Sequence, residues 1–147
     1  MPADEAALLG MMRKLAEQEP GAILFEESEV RRALPEFLAN PQLGKAWLIL
    51  VNQKPAGYVV LTLGFSFEYH GREAFIDELY VEPEYRRRGF GRNAMQFVAE
   101  RAREMGVNAI HLEVDQGNDP ALELYRHTGY EDHDRYLMTK WLTKKSS

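Results

Sequence analysis

The chain contains no cysteine. That excludes disulfides, thiolate metal sites and a cysteine nucleophile together. Serine is nearly missing too, confined to Ser28, Ser66, Ser146 and Ser147, and no G-x-S-x-G elbow exists, so a serine hydrolase is not expected. The histidines His70, His111, His127 and His133 show no zinc-ligand spacing, and no metal is expected. No apolar run approaches the ~18 residues of a membrane span. The acidic start, Met1 to Glu5, lacks a signal-peptide pattern, which points to a cytoplasmic protein with no membrane partner. An excess of basic charge is also absent. The net charge of −5 argues against general nucleic-acid binding and leaves an acidic surface able to steer a cationic substrate.

What is present is an ordinary soluble composition, long enough for one domain over 1–147 that buries roughly 70% of its unfolded surface. Leu8, Met11, Met12 and Leu15 make an apolar stripe and predict a helix over Ala6 to Gln18, ended by Glu19-Pro20-Gly21. The short run Ile23-Leu24-Phe25 has no assignment. A second helix follows with Ser28 as its cap and Pro35 as a source of a split or kink. Strands are expected over Ala46 to Val51, Ala56 to Phe67 and Phe75 to Val81. Short turns join them into an antiparallel meander, with Gly64 marking a bulge. A helix over Phe90 to Glu104 and a strand over Asn108 to Val114 complete a parallel strand–helix–strand unit with a right-handed crossover. Asp119 as N-cap with Pro120 at the first helical position opens a short helix through Tyr125, stopped at Gly129. Tyr130-Glu131 and Tyr136 to Leu142 predict a final hairpin. The fold class is therefore α/β in the α+β sense: a mixed, largely antiparallel sheet flanked by helices.

The chain is organised around Tyr80 to Arg92, Y-V-E-P-E-Y-R-R-R-G-F-G-R, which runs from a strand through a polar loop to a glycine pair opening a helix. Four of the seven residues from Arg86 to Arg92 are arginine in a chain that is acidic overall. Arginines are unfavourable beside the partial positive charge of a helix start, so something negative should offset them. Free N–H groups at a glycine-rich helix start, flanked by arginines, suit phosphate. Gly89-Phe90-Gly91-Arg92-Asn93-Ala94 also matches the G-x-G-x-x-A dinucleotide fingerprint, with Glu113 about twenty residues on. In that fingerprint the glycines follow the strand directly, whereas here Glu82 to Arg88 intervene, and antiparallel strands fit a doubly wound sheet poorly.

Arg86-Arg87-Arg88-Gly89-Phe90-Gly91 resembles the R/Q-x-x-G-x-G/A motif of the GCN5-related N-acetyltransferases, the GNAT family. Leu79-Tyr80-Val81-Glu82-Pro83 resembles that family's L-x-V-x-P strand end. Asn118, Ala121 and Tyr125, followed by Gly129-Tyr130, are similar to its N-x-x-A-x-x-x-Y-x-x-x-G-F/Y segment. These features cover Phe75 to Tyr130 in order and spacing, and they are specific only together. Gly71-Arg72 and Ile76-Asp77-Glu78-Leu79 resemble the diamine and polyamine branch. One feature departs from the family. Its members usually start with a strand before the first helix, and here the helix pattern begins almost at Met1. That strand is either absent or supplied by a partner chain, which leaves a homodimer open.

The resemblance implies acetyl-CoA as acetyl donor and an amine as acceptor; the carboxylates Asp77, Glu78, Glu113 and Asp115 near the expected cleft point to a small cationic one, with polyamine, amino acid, aminoglycoside and protein lysine all open. It places the pyrophosphate on the stretch Arg86, Arg87, Arg88, Gly89, Phe90, Gly91 and Arg92, chiefly through backbone N–H groups. It places the pantetheine arm along main-chain groups of Leu79, Tyr80 and Val81, in the manner of an added strand, with Asn118 helping to orient it. It makes Tyr125 the acid for the leaving thiolate. For the proton acceptor two residues stay open: the polyamine branch favours Asp77, and carboxylate length favours Glu78. Strand neighbours face opposite sides, so at most one should face the acceptor. Glu113 and Asp115 are further candidates, and His111 is expected to be structural. Without a cysteine an acyl-cysteine intermediate is impossible, which favours direct attack in a ternary complex. Two other functions remain as alternatives: a non-catalytic acyl-CoA-binding module and a nicotinamide-dinucleotide enzyme.

Overall fold

The computed structural model describes residues 2–18, 26–114 and 117–143. The run Ile23-Leu24-Phe25 and Asp115 lie outside the described residues. The chain divides into two compact units, Met1–Leu112 and Glu113–Ser147.

The first unit begins with helices α1 (Pro2–Gln18) and α2 (Glu27–Ala39). Ser28 does not cap α2. Glu26 occupies that position with no side-chain bond, and Pro35 lies inside a helix that runs on to Ala39. Strands β1 (Gly44–Val51), β2 (Lys54–Ser66) and β3 (Gly71–Val81) form the expected meander. Helix α3 (Phe90–Glu104) has the predicted bounds. It leads to β4 (Ala109–His111), shorter than expected, which pairs parallel with β3. The sheet order is β1-β2-β3-β4. Three antiparallel strands with one parallel addition are not a doubly wound sheet, which removes the fold that the dinucleotide reading requires.

Alternation along β2 and β3 separates two buried faces. Tyr58, Val60 and Tyr80 pack with Leu8 and Met11 of α1 and Leu34 of α2. Val59 and Leu61 of β2 are buried, as are Ala74 and Ile76 of β3. Helix α3 packs on β3 and buries Ala94, Met95, Val98 and Ala102.

The sheet register holds the first surprise. Gly64 pairs with Glu73 in unbroken register, so no bulge lies there. The irregularity falls where Val60 pairs with Glu78 and Leu61 with Ile76, leaving Asp77 as the extra residue. A bulge bends its strand and re-aims the side chain it carries.

The second unit contains α4 (Asp119–His127). Its N-cap is Asn118, whose side chain accepts a hydrogen bond from the Ala121 backbone N–H at 3.4 Å, so Asp119 is the first helical residue instead of the cap. The helix stops before Gly129, which takes a φ of 102°. The expected hairpin is not formed. Residues 131–142 contain no strand, and Tyr136, Leu137, Met138 and Leu142 are exposed. Apolar side chains mark a segment that could be buried, but a strand also needs a partner for its backbone. No described helix is long and apolar enough to cross a membrane.

Candidate active site

β3 and β4 pair only over Glu73–Phe75 and Ala109–His111. Beyond Phe75, β3 continues to Val81 with no strand on that edge among the described residues. The main chain of Leu79, Tyr80 and Val81 is thus carried on an open edge, as the reading of an added strand requires. The bulge at Asp77 lies where this divergence begins.

The two candidate carboxylates differ sharply in environment. The Tyr58 hydroxyl donates to Glu78 Oε1 at 2.7 Å, and Tyr58 packs on the face of the sheet covered by α1 and α2. Asp77 is exposed and makes no hydrogen bond or ion pair among the described residues, and partial desolvation by its neighbours alone pushes its carboxyl above the usual range. Because the bulge breaks strict alternation, the expectation that only one of the pair can serve the acceptor loses its geometric basis. Tyr58 itself was not anticipated. Its signal was a phenol heading the apolar run Val59-Val60-Leu61, and a buried phenol needs a partner.

The loop after β3 is a 3-10 turn, Pro83–Tyr85, then a turn into α3. Arg87 and Gly89 both take positive φ, 64° and 84°. Gly89 is the N-cap of α3 and supplies no side-chain cap, so the first N–H groups of the helix are left for something outside the chain. Gly91 has an ordinary φ, and an added Cβ would meet only Val81 Cγ2, at 3.8 Å. Nothing within the chain demands glycine there, whereas close approach of a ligand would. Phe90 packs edge-on against Tyr85, with centroids 6.2 Å apart. Arg88 lies over the Tyr85 ring. Arg87 and Arg92 are exposed and form no ion pair among the described residues.

Arg86 behaves differently from its neighbours. Its Nε donates to the Val81 carbonyl at 2.7 Å and its Nη2 to Gln18 Oε1 at 2.8 Å. Its guanidinium carbon lies 5.6 Å from the centre of the Tyr80 ring. Nearby, Lys14 Nζ donates to both oxygens of Glu82, at 2.9 and 3.2 Å. Burial works against the Glu82 carboxylate, but hydrogen bonds from Lys14 and then Tyr80 outweigh it and keep its carboxyl below the ordinary range. The Tyr80 hydroxyl is buried beside the Glu82 carboxylate. Burial first, and then Glu82, push that phenol up to about 12.

Of the remaining candidates, His111 Nε2 lies 3.1 Å from Glu73 Oε2, and its ring sits against Tyr69 and Phe75. That is the structural role expected of it. Glu113 is exposed. In the second unit, Tyr125 is half-buried and stacks edge-on with Tyr130, centroids 6.0 Å apart, and burial pushes its phenol up. No group of three or more His, Asp or Glu suited to a metal occurs among the described residues.

The comparisons with known proteins bear on this arrangement. The model of the acetyltransferase (GNAT) family matches residues 9–130. The chain belongs to the GNAT family. A GNAT member of this kind is an acetyl-CoA-dependent N-acetyltransferase. Bovine thialysine N-ε-acetyltransferase is 30% identical over 131 residues, which are 85% of this chain and 77% of that protein. An integron cassette protein from the mobile metagenome of Cole Harbour Salt Marsh superposes with a TM-score of 0.82 at 31% identity, covering 97% of this chain and 87% of that one. A predicted acetyltransferase from Clostridium acetobutylicum, solved with acetyl-CoA, shares the fold with a TM-score of 0.75 at 22% identity, covering 94% of this chain and 90% of that one. Membership of the GNAT family removes the nicotinamide reading and bears out the resemblance carried by the glycine loop.

Proposed function

We propose that this GNAT acetyltransferase moves the acetyl group of acetyl-CoA to the primary amine of a small cationic acceptor, by direct attack in a ternary complex. The observation that carries the reading is the placement of Asp77: a carboxylate without a partner among the described residues, on a bulge where β3 leaves β4, solvent-accessible yet desolvated enough to raise its pKa. An ammonium acceptor must lose a proton before its lone pair can attack. Asp77 takes that proton. The amine nitrogen then bonds to the thioester carbonyl carbon, the carbon–sulfur bond breaks, and Tyr125 gives the departing thiolate its proton; the nitrogen sheds its second proton to solvent as the amide forms, and the tyrosinate takes a proton back from solvent. Glu78, fixed by Tyr58, adds negative charge beside the acceptor's path. The chain has no cysteine, so no acyl-cysteine intermediate competes with this route. The bovine relative is named for the ε-amine of thialysine, which supports a primary amine on a small cationic molecule. The acidic, cysteine-free composition supports a cytoplasmic setting, without membrane or nucleic-acid partners. A homodimer would supply a strand at the β1 edge of the sheet formed by the described residues. Asn118 is assigned to its capping bond first, with the pantetheine arm as a second partner.

Release of CoA thiol across an amine panel tests the acceptor class. Thialysine, diamines and polyamines should turn over, and neutral aryl amines should not. Turnover of aryl amines with cationic amines inert would overturn the acceptor class. Binding of acetyl-CoA with no turnover of any amine would favour the non-catalytic acyl-CoA module instead.

The donor site carries a separate prediction. Gly91→Glu places bulk and negative charge at the uncapped start of α3. Affinity for CoA in calorimetry should fall by at least ~10-fold, equivalent to about 1.4 kcal/mol. Wild-type affinity would show that the pyrophosphate lies elsewhere.

A further inference from the structure

Arg86 opens the arginine run and belongs to the motif that suggests a phosphate site, yet its guanidinium is already committed within the chain. One nitrogen holds the Val81 carbonyl and another holds Gln18. Glu82, at the other end of the 3-10 turn, is held by Lys14. Lys14 and Gln18 are one helical turn apart on α1 and therefore lie on the same side of that helix. Glu82 and Arg86 bracket the turn that feeds the glycine loop. Two rungs thus run from one face of α1 to the two ends of the turn. The Glu82 rung is well shielded, with the carboxylate side chain only 14% exposed. A third contact, the Glu82 N–H to the Ala56 carbonyl at 2.7 Å, anchors the same point to β2.

We propose that Arg86 is a positioning residue for acetyl-CoA: with Gln18, and beside the Lys14–Glu82 pair, it buckles α1 to the root of the loop and makes no phosphate contact itself. The geometry gives the reason. The phosphate-facing groups are the backbone N–H groups at the start of α3, and these have no side chains of their own to adjust their direction. Their aim depends on how the loop leaves β3. A guanidinium that ties Val81, the last residue of β3, to α1 sets that departure. This inference deepens the donor-site reading and rests on it.

The test uses Gln18→Ala, Arg86→Met and the double variant, with CoA affinity from calorimetry and steady-state kinetics in acetyl-CoA. Gln18→Ala removes a neutral, exposed side chain from α1 and should leave folding intact. Each single substitution should raise Kd and KM for the donor by ~3–10-fold, the size of one ordinary hydrogen bond, because the rung acts on the donor only through the loop. Turnover at saturating donor should stay near wild type, and melting temperatures should be unchanged. The double variant should be no worse than Arg86→Met, because both substitutions break the same rung. The salt dependence of CoA binding should also be unaltered in Arg86→Met. Full affinity in Gln18→Ala overturns the proposal, as does an additive double variant or a shallower salt dependence in Arg86→Met, the mark of a lost phosphate contact. Gly91→Glu separates the two levels. If it leaves CoA affinity intact, the donor-site reading fails and this inference with it. If it abolishes affinity while Gln18→Ala is neutral, the donor site stands and only the buckle falls.

Discussion

Asp77→Asn should lower kcat at neutral pH by ~10²–10⁴-fold, the usual contribution of a positioned general base, with acetyl-CoA affinity unchanged. The substitution keeps size and removes only the ability to accept the amine's proton. Wild-type kcat/KM for the acceptor should rise with pH through an ionisation above the ordinary carboxylate range, because partial desolvation raises this carboxyl. That limb should vanish in Asp77→Asn. Glu78→Gln should leave it in place, because Glu78 is engaged by Tyr58. If the limb survives in Asp77→Asn and vanishes in Glu78→Gln, the two roles are reversed.

The same group predicts an effect on stability with a definite sign. A carboxyl whose folded pKa lies above its unfolded value of about 3.8 holds its proton more tightly in the folded chain. Stability is therefore greatest below the unfolded value and is lost as pH rises through the folded one. At neutral pH the ionised Asp77 destabilises the fold. Asp77→Asn should accordingly melt ~1–2 °C higher than wild type at pH 7, a small gain because Asp77 is partly exposed and solvent screens it. Near pH 3 the difference should disappear. A variant less stable than wild type at pH 7 would mean that Asp77 has a favourable partner.

Tyr125→Phe should also cost ~10²–10⁴-fold in turnover at saturating acetyl-CoA, the range for a general acid. The ring is kept, so its edge-on contact with Tyr130 survives, and folding and CoA affinity should change little. Burial pushes the phenol upward, which keeps it protonated and ready to donate throughout the neutral range. A donor with a better leaving group should recover much of the lost rate, because less proton assistance is then needed at sulfur. Wild-type turnover with chemistry shown to be rate-limiting would leave Tyr125 as a packing residue alone.

The parts of this protein legible in its sequence are those governed by near neighbours along the chain. Helix α3 has its predicted bounds because a glycine able to take positive φ precedes it and another follows it, and apolar spacing marks its buried face. The meander follows from short turns between β-prone runs, and family membership from side chains at fixed spacing across Phe75 to Tyr130. Tertiary structure decided the rest. A strand register is a property of two strands, so neither the bulge at Asp77 nor the Tyr58 bond that sets Glu78 apart from it could be read from β3. The apolar residues from Tyr136 to Leu142 suggested a hairpin, but residues 131–142 form no strand, because apolar side chains alone do not supply a backbone partner. Arg86 was read with the phosphate-binding arginines by position in the motif. Its partner Gln18 lies 68 residues away along the chain, and only the docking of α1 beside the end of β3 brings the two together.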